Sequence, residues 1–493
     1  MRRSPRARSL AAAGLFVAAL SGWSAPPLHA APAKHRMIVL TDMLNEPDDS
    51  QTMVRLLMYA NEMDIEGLIA VSGCHLYAGK PDGRNRVHSE EIASRVEAYG
   101  LVRDNLLKHA PGWPTKEHLL SKVSAGPDGY GMGAVGDGNS TSGSKLIIEA
   151  LEKPDPRPID FCVNAGANVL AQALWDYRKT HTKEQLAALI RKIRVYDDSG
   201  QDNTAAWISH EFPDMLITRS EQVFGFMGHR GPYVWQPYPD TNAGQHEWTR
   251  EHVQTNHGPL GATYPDRLFP RGLVFLEGGG TSTWIGLVNH GLYDPQQITW
   301  GGWGGRFEGK REHIPAGQKL VHELGATEEP YKPFLMYRDA VDKWTDPETG
   351  KVYNDRWTAI QRWRRAFQND FQGRMDWCVK EYKEANHHPV AAFGKDRSGT
   401  IVRLTSSPGK RIRLDASASK DPDNDALNFR WYVYPEAGTY PGAPDITGAG
   451  EKVAGITIPQ DAGGKQIHVI LEVQDKSPIV SLFAYRRVVI DVK

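Results

Sequence analysis

The sequence predicts an α/β fold, a doubly wound and mainly parallel sheet, followed by a small all-β immunoglobulin-like sandwich. Three observations carry this reading. From about residue 34 to 388, apolar strand-like runs alternate with amphipathic helical stretches, the pattern of a parallel sheet covered on both faces. From about Thr400 the texture changes to short alternating runs separated by turn residues, as in a sandwich. The length of 493 residues exceeds one ordinary domain.

Taken in order, "MRRSPRARSL" carries four arginines, "SLAAAGLFVAALSGW" is a short apolar run, and "PLHAAPA" offers small-residue cleavage points after Ala30, Ala31 or Ala33. The apolar run falls below the roughly 20 residues a membrane-spanning helix needs. Residues 1–30 therefore read as a cleaved signal peptide, and the mature chain as periplasmic or secreted, with no stable membrane insertion.

Met37–Leu40, then "DSQTMVRLLMYANEM", then "IEGLIAVSG" make a strand–helix–strand unit. "SEEIASRVEAYG" reads as a helix capped by Ser89 and stopped by Gly100. "PIDFCVNAG" and "IRVYDD" read as strands, with helices "NVLAQALWDYRK" and "KEQLAALIRK" between them, and "LVFLEGG" as a later strand. Arg356–Ala385 reads as one long amphipathic helix. These elements place an α/β domain at 34–388, and the later runs "TIVRL", "RIRLDAS", "LNFRWYVY", "QIHVILEV" and "YRRVVIDV" place the sandwich at 396–493.

Lys plus Arg number 58 and Asp plus Glu 59, so no bulk charge draws the chain to nucleic acid and partners must be recognised locally. The three cysteines, Cys74, Cys162 and Cys378, are too few for a disulfide framework and lack CxxC spacing, and Cys162, in the strand-like "DFCVNAG", reads as a small core residue. An oligomer is compatible with all of this.

The chemistry concentrates in "MIVLTDMLNEPDDSQTMVRLL", where Asp42, Glu46, Asp48 and Asp49 follow the first strand. Ligands of doubly wound sheets bind outside the carboxyl ends of the strands. One aspartate is explained as a helix cap; four acids repel one another unless a cation lies among them, and converging hard oxygens suit Ca²⁺. Trp300 and Trp303 in "WGGWGGRF" fit either a sugar-stacking platform or a turn packed by its own tryptophans. Asp421, Asp423 and Asp425 read as a turn rather than a second Ca²⁺ site. Three histidines in long loops, His229, His246 and His257, are proton-donor candidates by type only.

"VLTDMLNEPDD" resembles the Asp-rich fingerprint of nucleoside hydrolases, "VNAGANVLAQAL" resembles that family's second motif, and "DDSGQDNTAAWI" is placed like a third, Gly/Asn-containing active-site loop. With "HGPLGATYPD", "WGGWGGRF" and the tail "LDASASKDPDNDALNFRWYVYPEAGTY", nearly the whole mature chain is similar to an exported bacterial family. In that family a nucleoside-hydrolase-like domain precedes a small β-sandwich, and its members are often described as cellulose-binding proteins. The resemblance implies hydrolysis of an N- or O-glycosidic bond of a glycan or glycoside, with carboxylates and Ca²⁺. The alternatives are a non-catalytic carbohydrate-binding protein on a hydrolase fold, or a polysaccharide lyase. It implies a metal set of Asp42, Asp49, the Ala167 carbonyl and Glu277. Its catalytic set is Asp42, Glu46 and Asp48, because the position of the family's general base falls on Leu44 and leaves Glu46 or Asn45 to take the role. Sugar contacts are then expected from Asn45, Asn168, Asp202, Asn203, Trp300 and Trp303.

Overall fold

The computed structural model describes Met1 and residues 33–45, 47–223, 247–265, 278–292 and 294–493. The signal peptide, Glu46, the strand expected at "LVFLEGG", Glu277, His229 and His246 lie outside the described residues.

An eight-stranded sheet forms the α/β part. Its strands are β1 (His35–Thr41), β2 (Met63–Ala70), β3 (Val123–Ala125), β4 (Ile159–Val163), β5 (Ile193–Asp198), β6 (Leu216–Ser220), β7 (Phe307–Glu312) and β8 (Met336–Asp339), in spatial order β3-β2-β1-β4-β5-β6-β8-β7. Every neighbouring pair is parallel except β7 with β8. The strand order reverses beside β1, with β2 on one side and β4 on the other, which makes the carboxyl ends of β1 and β4 the switch point where ligands of such folds sit.

Period-two alternation sends the residues of β1 to opposite faces. Met37 and Val39 join a core with Met53, Val54 and Leu57 of α1 (Pro47–Leu57) and with Ile92 and Tyr99 of α2 (Ser89–His109). Ile38 and Leu40 join a second core with residues of α4 (Ser142–Glu152), α5 (Asn168–Thr180) and α7 (Thr204–Glu211); α3 (Lys116–Leu120) and α6 (Lys183–Ile190) complete this region. Two helix expectations are corrected. Gly100 does not stop α2, which continues to His109; a Cβ there would lie 2.6 Å from Lys116 Cδ, so the glycine serves a close approach. The helix expected over 356–385 is broken into Thr358–Gln361, Arg364–Asp376 and a 3₁₀ turn at Tyr382–Glu384.

A two-stranded hairpin, β9 (Asp342–Thr345) with β10 (Val352–Asp355), precedes those helices. The C-terminal part has two sheets, β11-β17-β16-β13 and β12-β15-β14. Their strands are β11 (Val402–Ser406), β12 (Arg411–Asp415), β13 (Leu427–Val433), β14 (Ile446–Thr447), β15 (Val453–Thr457), β16 (Gln466–Asp475) and β17 (Phe483–Val492). One face of the larger sheet, with Val469, Leu471, Val488 and Ile490, packs on the smaller one. Its other face, with Ile470, Phe483 and Tyr485, enters the core that holds Trp284, Trp303 and Trp363. A sheet buried on both faces loses clean polar alternation, and β16 and β17 are accordingly buried almost throughout.

This junction supplies a pH-dependent term. Arg487 Nη1 donates to His468 Nδ1 at 2.9 Å, and His468 Nε2 lies 2.7 Å from Gln466 Oε1. A guanidinium has no acceptor, so the imidazole must be neutral with its proton on Nε2. Burial and the adjacent Arg487 push His468 down to about 2 from 6.5. A histidine whose folded pKa is depressed supports the fold fully above its unfolded value, and that support drains as pH falls below about 6.5. The expected result is a loss of about 1 kcal/mol per pH unit from this group between about pH 6 and 4. His468→Gln should show a shallower acid slope in urea melts; equal slopes would rule the assignment out.

Candidate functional site

The acid-rich loop begins where β1 ends. Asn45 N–H donates to the Asp42 carbonyl at 3.0 Å, which closes a tight turn with Leu44 at φ +68°. A leucine in the left-handed region carries strain of about 1–3 kcal/mol, and Leu44 is exposed. The chain enters α1 at Pro47, a residue suited to the first helical position, so Asp48 and Asp49 occupy the first turn where acids complement the helix dipole.

Capping does not account for the surroundings of Asp49. It is 4 % exposed and accepts a short hydrogen bond from Thr41 Oγ1. Its carboxyl also shares hydrogen bonds with Asp42 and Asn164, and burial pushes its pKa up. Asp42 is buried beside it. A Cβ on Gly73, after β2, would stand 2.7 Å from Gln201 Oε1 and 3.4 Å from Asp42 Oδ2; glycine there lets the β2 loop close over the carboxylate. Asp48 retains partial solvent access.

Two neighbouring strands complete the group. After β4, Asn164 Oδ1 accepts from Thr283 Oγ1 at 2.9 Å, and its backbone carbonyl accepts from Gln201 Nε2 at 2.7 Å. At the end of β5 two adjacent acids have opposite settings. Asp197 pairs with Arg219 at 2.7 Å, which also holds Glu328 at 2.7 Å. Asp198 is buried, takes a hydrogen bond from Ser199 Oγ at 2.9 Å, and has its pKa pushed well above the carboxylate range by burial and by the charges of Asp197, Asp48 and Asp49. The charges of Asp48 and Asp49 on α1 and of Asp197 on β5 thus raise the cost of ionising Asp198, an electrostatic feature that functional clusters share.

Asn164, Asp198, Gly73 and Thr283 were not singled out from the sequence. Asp198 could have been, as an acid at the carboxyl end of a strand. Other expected residues make contacts within the fold. Asn168 Nδ2 donates to Ser72 Oγ at 2.8 Å and to the Gly129 carbonyl at 3.0 Å, pinning a loop. Asp202 Oδ1 accepts from Thr204 N and Oγ1 at 2.8 and 2.5 Å at the start of α7, and burial raises the Asp202 pKa to about 6. Asn203 ties Met132 N to the Thr327 carbonyl. Asn45 remains beside the acids and accepts Arg84 Nη1 through Oδ1 at 3.1 Å; Arg84, too, went unnoticed in the sequence.

Trp300 and Trp303 are not a sugar platform. They are 4 % and 1 % exposed, Trp303 lies 4.0 Å from the His290 ring, and Trp300 meets His468 edge-on at 4.9 Å. The packing alternative therefore holds, because the C-terminal sheet covers both. His257 faces Asp376 at 3.2 Å and is buried. Asp421 accepts the N–H groups of Asp423 and Asp425, as a turn does.

Among the described residues, no group of three or more His, Cys, Asp or Glu side chains is placed to hold a metal ion. The Ala167 carbonyl already accepts the Ala171 N–H at 3.0 Å in the first turn of α5. Asp42 and Asp49 lie together, but these residues do not by themselves assemble the calcium shell that the resemblance implies. No helix among the described residues is long and apolar enough to cross a membrane.

Two family models match the chain. One, described as cellulose-binding Sde182, nucleoside hydrolase-like domain, matches residues 36–307; the other, described as cellulose-binding protein Sde0182, C-terminal domain, matches residues 411–492. Among solved structures, the chain is similar to a nucleoside hydrolase-related hypothetical protein from Saccharophagus degradans described as associated with carbohydrate metabolism. The two share 37% identity over 94% of this chain and 100% of that one, with a TM-score of 0.79. The effector protein XOO4466 and the type III effector protein XopQ, the latter complexed with adenosine diphosphate ribose, align over 47% of this chain and 64% of theirs. At 13% and 12% identity and TM-scores of 0.28 and 0.27, those likenesses are too slight to bear on function. A comparison with curated proteins finds no match.

Proposed function

Because the chain belongs to the family of cellulose-binding proteins that carry a nucleoside hydrolase-like domain, we propose that it hydrolyses a glycosidic bond of a glycan or glycoside at the acid cluster of Asp42, Asp48, Asp49 and Asp198. The observation that carries this reading is the burial of Asp42, Asp49 and Asp198 at the switch point, with the pKa values of Asp49 and Asp198 raised. A purely structural protein gains nothing from burying acids that repel one another, and such local conflicts are retained where function needs them.

The roles follow from position. Asp48, with solvent access, meets sugar hydroxyls. Asp42 and Asp49, the latter held by Thr41 and Asn164, stabilise positive charge that develops on the anomeric carbon as the bond to the leaving group breaks, and they orient the water that attacks it. The reading routes no step through a metal. Glu46 keeps its place as candidate base on its sequence position alone, and export on the signal-like residues 1–30.

A second reading, a carbohydrate-binding protein without turnover, is favoured by the exposed Leu44 at the position of the family's general base. One experiment separates the two: sugar release by the wild type from a panel of nucleosides and plant or algal oligosaccharides, with calorimetric binding alongside. Release that disappears in Asp42→Asn supports the hydrolase. Binding without release on every member selects the binder.

A further inference from the structure

A cleft of about 470 Å³ lies between the β9–β10 hairpin, the start of the helix Arg364–Asp376 and the β13–β16–β17 face. That volume falls within the range of about 300–1,000 Å³ typical of small-molecule sites, and no member of the acid cluster lines it. We infer that this cleft is a second carbohydrate site, a subsite for a neutral oligosaccharide. The inference rests on the carbohydrate reading of the family above, but not on catalysis.

Strand register builds the floor. Asn428 of β13 stands opposite Gln474 of β16, which stands opposite Phe483 of β17; one step along, Arg430 stands opposite Glu472, which stands opposite Tyr485. Alternation puts all six on the face turned away from the sandwich core. The result is two rungs, one of amides and one of charges, each ending at an aromatic ring, Phe483 or Tyr485, that is itself buried in the adjoining core. Arg430 holds Glu472 in a bidentate pair, with both hydrogen bonds at 2.9 Å. Planar, pre-oriented donors and acceptors of this kind match the vicinal hydroxyls of a pyranose.

The opposite wall carries Trp344, half-buried on the hairpin and stacked on Tyr353 at 5.9 Å with 21° between the rings. Sugars present a C–H face that packs on an aromatic surface while their hydroxyls reach polar neighbours. Lining charges decide the ligand class. Arg362, Arg365 and Arg430 are matched in number by Asp346, Glu348 and Glu472, and Arg365 pairs with Glu348 across the mouth. Three positive against three negative leaves no net attraction for an anionic polymer. The groups remain reachable: the side chains of Arg365 and Glu348 are each 43% exposed and that of Arg430 36%. Asn428 is exposed as well.

The test is calorimetric titration of the full chain with cellohexaose, a neutral β-linked oligosaccharide, and with an anionic oligogalacturonide of equal length. Expected are binding of the neutral probe only, a rise in Kd of roughly tenfold or more in Trp344→Ala, and a similar rise in Asn428→Ala/Gln474→Ala. The double variant changes only accessible side chains, so an unchanged melting temperature keeps it interpretable if Trp344→Ala unfolds the hairpin. Unchanged affinity in both variants overturns the subsite, as does the absence of wild-type binding or equal binding of the anionic probe. Asp49→Asn makes the two proposals separable. Loss of cellohexaose binding there, with the cleft variants unaffected, moves the ligand to the acid cluster and overturns the subsite alone. Loss in the cleft variants, with no turnover by the wild type, supports the subsite while the hydrolase reading fails.

Discussion

Asp49→Ala is expected to abolish glycosidic turnover, by about 10²–10⁴-fold or more, without lowering the melting temperature. The two halves of this result come from one cause. Asp49 is buried and desolvated, and its charge in turn disfavours ionisation of Asp198, so keeping it ionised costs the fold free energy. Removing such a group relieves the desolvation and the charge felt by Asp198, and stability holds or rises while function is lost. Asp198→Asn is expected to behave the same way. Asp197→Ala, one residue earlier on β5, is expected to do the opposite. It would leave Arg219 and Glu328 buried with one carboxylate missing, and removing one partner of a buried ion network typically costs about 3–5 kcal/mol. Thermal melts of the three variants beside a turnover assay read the contrast directly. A destabilised Asp49→Ala would return Asp49 to the role of helix cap. Calcium titrated alone into the wild type and Asp49→Ala tests the metal expectation: heat in the first and none in the second would keep Ca²⁺ in the proposal, and no heat in either would remove it.

The strand–loop–helix rhythm was legible in the sequence because period-two and period-3.6 patterns survive wherever one face of an element is buried. It located β1, β2, β4 and β5, and the acid loop at the first switch point. What escaped was whatever depends on tertiary approach. Asn164 and Gly73 matter through contacts with Asp49 and Gln201 that no spacing along the chain reveals. "WGGWGGRF" was ambiguous because a buried and an exposed tryptophan are spelled alike; only the arrival of β16 and β17 settles it. The clue to that arrival was present in "QIHVILEV" and "YRRVVIDV", which are too continuously apolar for strands with one wet face. The same reasoning failed over 356–385, where an apolar stripe at helical spacing persisted through two breaks, since packing can hold a stripe across short helices as well as along one.

Arg487→Met should cost about 3–5 kcal/mol and loosen the C-terminal sheets from the rest of the chain. Arg487 is fully buried on β17. It donates to the Leu292 carbonyl at 2.7 Å, the Gly301 carbonyl at 2.9 Å and His468 Nδ1 at 2.9 Å. Two of these acceptors belong to the segment between β6 and β7, so one side chain stitches the C-terminal sheet to the α/β part. Methionine fills most of the volume and donates nothing, and each buried acceptor left without a partner costs about 1–3 kcal/mol. Asp342 provides a second stitch, accepting from Arg306 at 2.7 Å, from Arg362 at 3.1 Å and from Tyr434 of the C-terminal part at 2.5 Å; Tyr434→Phe removes one donor among three and should cost less. Residues 396–493 expressed alone keep the core between the two sheets and are expected to unfold cooperatively, but below the temperature of the same segment in the full chain. There Ile470, Phe483 and Tyr485 lose their cover and Arg487 loses both carbonyls. Differential scanning calorimetry of the full chain, Arg487→Met and the isolated segment measures all three. Arg487→Met melting with the wild type would mean that apolar burial alone holds the two parts together.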